Sequence, residues 1–397
     1  MVIKLKNRKG LVTIFLLVIY GVLLIYPIKI VLIKFGVINF NVSDNWKYYT
    51  PTGTNIFGKV KDKIMSLETS IDNRATNYFP FFTGINSSYY KVNMKLDSLL
   101  SDEIYVKNNT DNEYIIYNKK DNFYYLINNL SKNEMNSRVK AQAKFYNDIN
   151  EKYPNINMYV YLPLRYELTQ MCTNTLNGYV DAFTSELNDS INVSKLEALS
   201  TKEYLNYFYK TDHHYNANGA LRAYEDILNM MGIDSTNDFE IKTIKKPYYG
   251  SMAKSALNDS ISDELQAIDT NIEMSLKEPN EAIKPMVIKD TKNKFYDYYI
   301  GYFNGQFDEV TYKYDNYTGR NLLIIGDSIS WQIDYLIASK FDETHVINMR
   351  FGKWKNNNLK LKEYIEENNI TDILFLEEAE SQIFDVYNHN LKERVVR

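Results

Sequence analysis

Short apolar runs alternate with amphipathic stretches towards the C-terminus of the chain. Buried strands are predicted at 322–325, 344–348 and 372–376, and helices are predicted at 329–340 and 359–368 between them. Such alternation is typical of parallel βαβ units, in which helices cover the faces of a sheet. The pattern therefore predicts an α/β fold with a largely parallel sheet, whose ligands bind at the carboxyl ends of the strands.

The middle of the chain carries further patterned segments. Aromatic and β-branched runs flank the polar turn 118–122, which predicts a hairpin. A helical pattern at 135–150 precedes a strand at 156–162, and 177–187 is also helical in pattern. Residues 233–320 are less regular and contain short aromatic-rich strands, so we interpret them as a β-rich insertion near the active site.

The N-terminus carries a membrane-targeting pattern. An uncharged apolar run at 11–28 follows a basic segment, and as a helix it would span about 27 Å, close to the hydrocarbon thickness of a bilayer. A cleavable signal peptide is the competing interpretation, but no small-x-small site follows the run. We predict a cytoplasmic tail and transmembrane anchor at 1–34, a stalk at 35–59 and an extracellular catalytic domain at 60–397, held at the cell membrane by one span.

Charge and cysteine content narrow the possible functions. Residues 1–34 carry six Lys or Arg and no acidic residue, which leaves 40 basic and 50 acidic residues in the remainder, a net charge of −10. An acidic exported domain argues against nucleic-acid binding. The one cysteine, Cys172, excludes an internal disulfide and a cysteine-based zinc site. No cofactor is predicted.

Two of the four histidines lie beside a carboxylate, just before a strongly patterned helix. Asn216 or Asn218 is predicted to cap that helix. In an extended segment, Asp212 and His214 share one face, so the carboxylate reaches a ring nitrogen of the histidine. His213 would then point the opposite way. This arrangement predicts that His214 is a general base oriented by Asp212.

A serine follows the predicted strand 322–325, at the start of the next helix. The turn is expected to expose the hydroxyl of Ser328, and the serine amide and the helix dipole favour a developing negative charge there. Serine, histidine and aspartate together form the minimal set for acyl transfer. Alone, the serine motif also fits a simple helix cap, and Asp212, His213 and His214 also fit a partial metal site.

The two motifs together resemble the DHHW family of the SGNH-hydrolase superfamily, and their layout is similar to that of the J- and X-type proteins that O-acetylate alginate. The matching residues are Asp212, His214 and Ser328. Tyr215 stands where the family has tryptophan, and Asp327 also differs from the alginate proteins. Weaker matches, within an overall span of 60–385, lie at 72–81, 249–254 and 348–350.

The resemblance implies a three-layer α/β/α SGNH-hydrolase-like domain that transfers O-acetyl groups to an exported cell-surface or biofilm polysaccharide through an acyl-serine. It makes Ser328 the nucleophile, His214 the base and Asp212 the orienting acid, with no metal. The implied partners are a membrane-bound O-acyltransferase that delivers acetyl groups and a polysaccharide synthase or export complex. A polysaccharide acetylesterase with the same triad and a non-catalytic carbohydrate-binding component remain the alternatives.

Three further residues are predicted to bind substrate. Arg165 and Arg350 each follow a predicted strand, where a guanidinium group can hold a sugar hydroxyl or a carboxylate, although a structural ion pair explains each of them at least as well. Tyr215, directly after the Asp-His pair, is the third candidate.

Overall fold

The computed structural model describes residues 101–396, except for 111–112, 129, 173–175, 237, 278–292, 304–306 and 386–390. The described residues all belong to one compact unit. The predicted anchor, the predicted stalk and the first part of the predicted catalytic domain lie outside them. Within the described part, no helix has both the length and the apolar character needed to cross a membrane.

Strands and helices alternate through most of the described chain. The strands are β1 (Glu103–Thr110), β2 (Glu113–Asn118), β3 (Phe123–Asn128), β4 (Asn157–Pro163), β5 (Ile191–Leu196), β6 (Phe239–Tyr248), β7 (Asp263–Thr270), β8 (Glu309–Lys313), β9 (Asn321–Gly326), β10 (Glu343–Ile347), β11 (Leu359–Lys360), β12 (Asp372–Leu376) and β13 (Val395–Val396). The α-helices are α1 (Lys132–Lys152), α2 (Asn177–Ser185), α3 (Thr201–Tyr207), α4 (Ala217–Met230), α5 (Ser251–Ala256), α6 (Tyr298–Phe303), α7 (Asp334–Ala338), α8 (Gly352–Asn356), α9 (Leu361–Glu367), α10 (Ala379–Phe384) and α11 (Leu391–Arg394). Two 3₁₀ turns lie at Tyr166–Leu168 and Ser330–Gln332.

Six strands form a central sheet in the order β5-β4-β12-β9-β10-β8. The first five run parallel, and β8 pairs antiparallel with β10 at one edge. Leu376 of β12 pairs with Gly326 of β9, and Ile347 of β10 pairs with Ile325 of β9. The loops that follow β4, β9, β10 and β12 therefore leave the sheet at its carboxyl edge, where α/β sheets bind ligands.

Alternate side chains of the central strands enter two separate cores, one on each face of the sheet. In β9, Leu322 and Ile324 belong to one core, and Leu323 and Ile325 belong to the other. Side chains of α4 and α7 complete the first core, and side chains of α1, α2, α9 and α10 complete the second. Helices therefore cover both faces, and the prediction of an α/β fold with a largely parallel sheet is confirmed.

Two of the three smaller sheets are antiparallel, and the third is the parallel pair β11–β13. The hairpin predicted around 118–122 is β2–β3, and β1 extends it to three strands. Asn122 completes its turn with a φ of 59°, a conformation that asparagine tolerates better than most residues. Within the predicted insertion at 233–320, β6 and β7 pair with each other and β8 joins the central sheet.

One predicted helix is divided in the structure, and one strand of the central sheet was not predicted. The helix predicted at 329–340 is divided into a 3₁₀ turn and the short helix α7, because Ile333 between them adopts a φ of −130°. The edge strand β5 (Ile191–Leu196) was not predicted. Its sequence mixes polar and apolar residues without a clean period, and only its two terminal residues are buried. Pairing with β4 therefore defines this strand more than its own pattern does.

The start of α4 is fixed by two local features. The side chain of Asn216 accepts hydrogen bonds from the backbone amides of Asn218 and Gly219, so Asn216 is the cap of the two that were predicted. At Gly219, an added Cβ would lie 2.2 Å from the carbonyl oxygen of Tyr207, so only glycine lets α4 begin this close to the end of α3. The loop that joins these helices, which carries the Asp-His pair, is thereby held at both ends.

Candidate active site

Asp212, His214 and Ser328 lie in a single hydrogen-bonded row. Nδ1 of His214 lies 2.8 Å from Oδ1 of Asp212, and Nε2 of the same ring lies 2.9 Å from Oγ of Ser328. These contacts join residues 114 positions apart in the chain. The distances are those of an oriented general base in contact with a nucleophile.

Two loops bring the three residues together at the carboxyl edge of the central sheet. The Asp-His pair lies between α3 and α4, and Ser328 follows β9. The hydroxyl of Tyr215 donates to the carbonyl of Ile329, and Nε2 of Gln332 donates to the carbonyl of Tyr215 at 3.0 Å. Tyr215, predicted to bind substrate, is instead fully buried and joins the two loops.

Asp212 accepts hydrogen bonds from several directions. Its Oδ2 accepts from the hydroxyl of Tyr248 and, at 2.9 Å, from the amide of Ser251. The Ser251 hydroxyl donates to Oδ1 at 3.1 Å. Burial raises the pKa of this carboxyl, but the adjacent imidazoles of His214 and His213 outweigh burial and hold the pKa of Asp212 well below its usual range. Asp212 is therefore an ionised, fixed partner for the base.

A glycine permits this close approach of α5 to the carboxylate. An added Cβ at Gly250 would lie 2.4 Å from the Cβ of Asp212. The segment 249–254 was noted in the sequence only as a weaker part of the family resemblance. The structure shows that its glycine and Ser251 surround the Asp212 side chain.

His213 does not point away from the site, contrary to the prediction. Its ring centroid lies 4.0 Å from that of His214. Its Nδ1 lies 2.8 Å from Oγ of Ser251 and 3.2 Å from Oδ1 of Asp212, and its Nε2 lies 3.2 Å from Oε1 of Glu378. The prediction assumed an extended segment, but the chain bends here, so alternate residues do not occupy opposite faces.

The hydroxyl of Ser328 was expected to be exposed, and this expectation is wrong. Ser328 is only 6% exposed. The ring of Tyr299, from α6, stacks on the ring of His214 with 3.9 Å between centroids, and its hydroxyl donates to the carbonyl of Ser328 at 3.0 Å. A turn at the end of a strand does project from the sheet, but here the predicted insertion supplies a tyrosine that covers it.

Arg165 is buried among carboxylates instead of facing a cleft. It forms ion pairs with Glu113 at 2.8 Å, Glu167 at 3.1 Å, Glu378 at 3.2 Å and Glu380 at 2.7 Å. Burial raises the pKa of both Glu167 and Glu380. Arg165 was predicted either to bind substrate or to form a structural ion pair, and in the structure it forms ion pairs.

Donor groups without partners lie in the loops after β9 and β10. Within the described part of the chain, no acceptor takes the backbone N–H of Ser328. Nδ2 of Asn348 and Nη2 of Arg350 are buried and also lack partners there. Nε of Arg350 instead donates to Oδ1 of Asn348 at 3.1 Å, which leaves the amide nitrogen of Asn348 as a spare donor. Asn348 was noted in the sequence only within the weaker match at 348–350.

The structure also shows how far Asp212, His213 and His214 could act together as ligands of a metal ion. Asp212, His213 and His214 place one donor atom each within 4.8 Å of one another. However, both ring nitrogens of His214 already face hydrogen-bond partners, as do both ring nitrogens of His213. The arrangement therefore suits proton transfer better than metal binding.

Comparisons with known proteins identify relatives of the fold. No protein-family model matches the chain, and no curated protein sequence matches it. Bacillus cereus PatB1, solved with a sulfonyl adduct, matches with a TM-score of 0.54 and 17% identity over 72% of this chain and all of that one. A DHHW family protein from Eubacterium siraeum matches with a TM-score of 0.52 and 17% identity over 75% of this chain and 98% of that one.

A more distant match is the O-acetyltransferase domain of Pseudomonas putida AlgJ, with a TM-score of 0.38 and 10% identity over 70% of this chain and 92% of that one. The two stronger matches cover nearly the whole of their own chains. The chain therefore shares its fold with PatB1 and with a DHHW family protein, and the resemblance carried by its two motifs is confirmed at the level of the fold.

Proposed function

We propose that this protein is an extracytoplasmic O-acetyltransferase that acetylates an exported polysaccharide through an acyl-serine intermediate on Ser328. The observation that carries the proposal is the row of contacts in which His214 joins Asp212 at 2.8 Å and Ser328 at 2.9 Å. A row of this kind activates a serine hydroxyl for nucleophilic attack on a carbonyl carbon.

The first half of the reaction forms the acyl-enzyme. Oγ of Ser328 attacks the acetyl carbonyl of the donor while Nε2 of His214 takes the hydroxyl proton. Asp212, bound to Nδ1, holds the ring in position and stabilises the resulting imidazolium. When the tetrahedral intermediate collapses, the bond to the donor breaks, and the leaving group takes the proton from His214. The acetyl group then remains as an ester on Ser328.

The second half repeats these steps with a sugar as the acceptor. His214 takes the proton of a sugar hydroxyl, whose oxygen attacks the acetyl-serine carbonyl. The ester bond to Ser328 then breaks, His214 returns its proton to the serine oxygen, and the acetylated sugar leaves. Each half develops negative charge on the carbonyl oxygen. The Ser328 N–H and Nδ2 of Asn348, both donors without other partners in the described chain, are our candidates to stabilise that charge.

The cover over the nucleophile favours transfer over hydrolysis. Tyr299 lies flat on His214 and binds the backbone of Ser328, and the serine itself is buried. Excluding water protects an acyl-enzyme until the intended acceptor arrives. An acetylesterase with the same triad uses water as its acceptor, so a covered serine is a less direct arrangement for it.

The proposal places the catalytic domain outside the cell, with the predicted apolar run at 11–28 as its membrane anchor. A membrane-bound O-acyltransferase would then deliver acetyl groups, and a polysaccharide synthase or export complex would deliver the polymer. Tethering all three to one membrane raises their effective concentrations. No cofactor enters any of the steps above.

Incubation of the full chain with an activated acetyl ester and a series of polysaccharide fragments tests the proposal. Mass spectrometry is expected to show acetylated sugar, and a Ser328→Ala protein is expected to give none. Because PatB1 carries a sulfonyl adduct in its solved structure, a sulfonyl fluoride is a suitable probe of the Ser328 hydroxyl here.

The same experiment separates the alternatives. Acetate release without acetylated sugar, across all fragments, would identify an esterase. Failure of both turnover and sulfonyl labelling in a folded protein would leave the non-catalytic carbohydrate-binding interpretation. Labelling of Ser328 with acetylation of a sugar supports the transferase.

A further inference from the structure

His213 lies between the triad and a glutamate from another part of the fold. Its Nε2 faces Oε1 of Glu378, in the loop after β12, at 3.2 Å. Its Nδ1 faces Oγ of Ser251 at 2.8 Å and Oδ1 of Asp212 at 3.2 Å. The side chain is 22% exposed, so these contacts, and not enclosure alone, define its position.

The hydrogen bonds determine where protons lie on this ring. The Ser251 hydroxyl has one hydrogen, which it donates to Oδ1 of Asp212 at 3.1 Å. Nδ1 of His213 also faces Oδ1 of Asp212 at 3.2 Å, and an ionised carboxylate oxygen only accepts, so a hydrogen on Nδ1 satisfies this carboxylate as well as the hydroxyl oxygen. Nε2 faces a carboxylate oxygen, which also only accepts when ionised, so Nε2 must carry a hydrogen as well. A ring with hydrogens on both nitrogens is an imidazolium cation.

Glu378 is held in the ionised form that this count requires. Its other oxygen, Oε2, lies 3.2 Å from Nη1 of Arg165, and its backbone amide donates to Oδ2 of Asp327 at 3.0 Å. Burial alone raises the pKa of Glu378, but the positive charges of His213 and Arg165 outweigh burial and lower it. The Arg165 cluster thus supports an anion that faces His213.

The neighbouring histidine, His214, differs from His213 in the hydrogens that its ring carries. Nδ1 of His214 donates to Asp212, and Nε2 accepts from the hydroxyl of Ser328. The His214 ring is therefore neutral when ready to act. Its centroid lies 4.0 Å from the centroid of His213, so a charge on one ring opposes a charge on the other.

We propose that His213 is a positioning residue that remains an imidazolium across neutral pH, anchored by Glu378, and that it fixes Asp212 and keeps His214 in its neutral, base-competent form. His213 takes no proton from substrate in this proposal. It acts only through Asp212 and His214, and its effect on catalysis rests on the proposed function of that triad.

The direction of the pKa of His213 agrees with this proton count. Burial lowers the pKa of its imidazole, but the carboxylates of Glu378 and Asp212 outweigh burial and raise it well above its usual range. Among the described residues, the titratable groups that contact the two imidazoles are Asp212, Tyr299 and Glu378. Those that contact these partners in turn are Tyr248 at Asp212, and Arg165 and Asp327 at Glu378.

Nuclear magnetic resonance of the full chain, labelled with ¹³C at the histidine Cε1, tests the charge of His213 without any catalysis. The chain has four histidines, so four signals are followed with pH. We expect one signal to stay at its protonated position through pH 7 and to disappear in His213→Gln. If that variant does not fold, the signal is assigned by elimination with His214→Gln, His345→Gln and His389→Gln. A His213 signal that titrates at or below about pH 6.5, the ordinary histidine value, would overturn the proposal.

The pH profile of kcat/KM for an activated acetyl ester tests the effect of that charge on the base. The His213→Gln variant lacks the positive charge beside His214, and the charge of Glu378, no longer balanced by His213, acts in the same direction. The acidic limb of the profile for His213→Gln is therefore expected to move to higher pH.

His345→Gln is the matched control, because Nε2 of that buried histidine also faces a glutamate, Glu343, at 2.9 Å, but in a separate cluster. Its acidic limb is expected to coincide with that of the unchanged protein. Lower activity of His213→Gln with an unmoved limb would reduce His213 to a packing role and overturn the proposal. Absence of turnover in the unchanged protein would instead contradict the proposed function, and the resonance experiment would still decide the charge of His213.

Discussion

Two histidines of the central α/β fold each contact a glutamate, yet the pKa values of their rings move in opposite directions. His213 meets both Glu378 and Asp212, and these carboxylates outweigh burial, so its pKa is raised well above the usual value. His345 in β10 meets Glu343, but burial outweighs its carboxylate neighbours and its pKa is lowered. A histidine–glutamate contact alone therefore does not define a charged histidine. The number of ionised partners and the depth of burial decide it.

The two environments also serve different parts of the molecule. His345 bonds to Tyr364 at 2.9 Å and lies near Thr311 at 3.3 Å, so it joins β8, β10 and α9 on one side of the sheet. His213 instead touches the carboxylate that orients the candidate base. His213 therefore contacts the candidate active site, whereas His345 contributes to the packing of the sheet.

The largest expected effect is loss of activity at the triad. Ser328→Ala and His214→Ala are each expected to lower acetate release from an activated ester by several orders of magnitude, because the members of a triad act as a unit. His345→Gln is expected to retain activity close to that of the unchanged protein. Comparable losses of activity in all three variants, measured on folded protein, would show that His345 matters for activity as much as Ser328 and His214 do.

The next largest expected effect is a loss of stability when Arg165, an ion-pair partner of Glu378, is replaced. Arg165→Met removes a cation that contacts four buried carboxylates, and we expect it to lower the free energy of unfolding by about 3–5 kcal/mol. Arg222→Met is the control, because that arginine pairs with Asp226 on an exposed helix face, where a loss within about 0.5 kcal/mol is expected. Urea unfolding of both variants provides the measurement. Equal small losses would mean that the Arg165 cluster does not anchor Glu378.

The sequence predicted the framework of the fold because local patterns dominate there. The runs at 322–325 and 372–376 are apolar and continuous, as strands covered on both faces must be. The three residues that the structure joins in one hydrogen-bonded row were also predicted from the sequence, because serine after a strand and an Asp-x-His pair before a capped helix are local signals. Their meeting across 114 positions has two causes: the loop after β9 leaves the sheet at its carboxyl edge, and Tyr215 joins the loop between α3 and α4 to it.

The surroundings of the site could not be predicted in the same way. Tyr299 reaches His214 from α6, and Glu378 reaches His213 from the loop after β12. Neither contact leaves a pattern in the sequence near its partner. Arg165 illustrates the same limit, since a guanidinium after a strand fits a substrate contact or an ion pair equally well until its four glutamates are placed in space.

A smaller effect is expected at the cover of the site. Tyr299→Leu removes the ring stacked on His214, an aromatic contact worth about 0.5–1.5 kcal/mol, and opens Ser328 to water. The ratio of sugar acetylation to hydrolysis is therefore expected to fall by about two- to tenfold. Tyr302→Leu changes a tyrosine of the same helix that does not stack on His214, and it serves as the control. An unchanged ratio in Tyr299→Leu would remove the argument that this tyrosine favours transfer.

The smallest expected effect is on the pH dependence of the free energy of unfolding. It is also the most direct test of the difference between His213 and His345. A raised pKa in the folded state contributes stability that is fully present below the unfolded value, about 6.5 for histidine, and that is lost as pH rises through the folded value. A lowered pKa does the opposite, because the buried ring must stay neutral, and its contribution is lost as pH falls.

His213→Gln should therefore lower the free energy of unfolding most at acidic pH, and progressively less as the solution becomes alkaline. His345→Gln should lower it most at alkaline pH, and less on acidification. Each unit by which a pKa is displaced corresponds to about 1.4 kcal/mol. Urea unfolding of the two variants and the unchanged protein, from about pH 5 to about pH 9, measures both slopes on one scale. Slopes of the same sign would show that the two histidines occupy equivalent electrostatic environments. Opposite slopes would demonstrate in solution that one ring is held as a cation and the other as a neutral base.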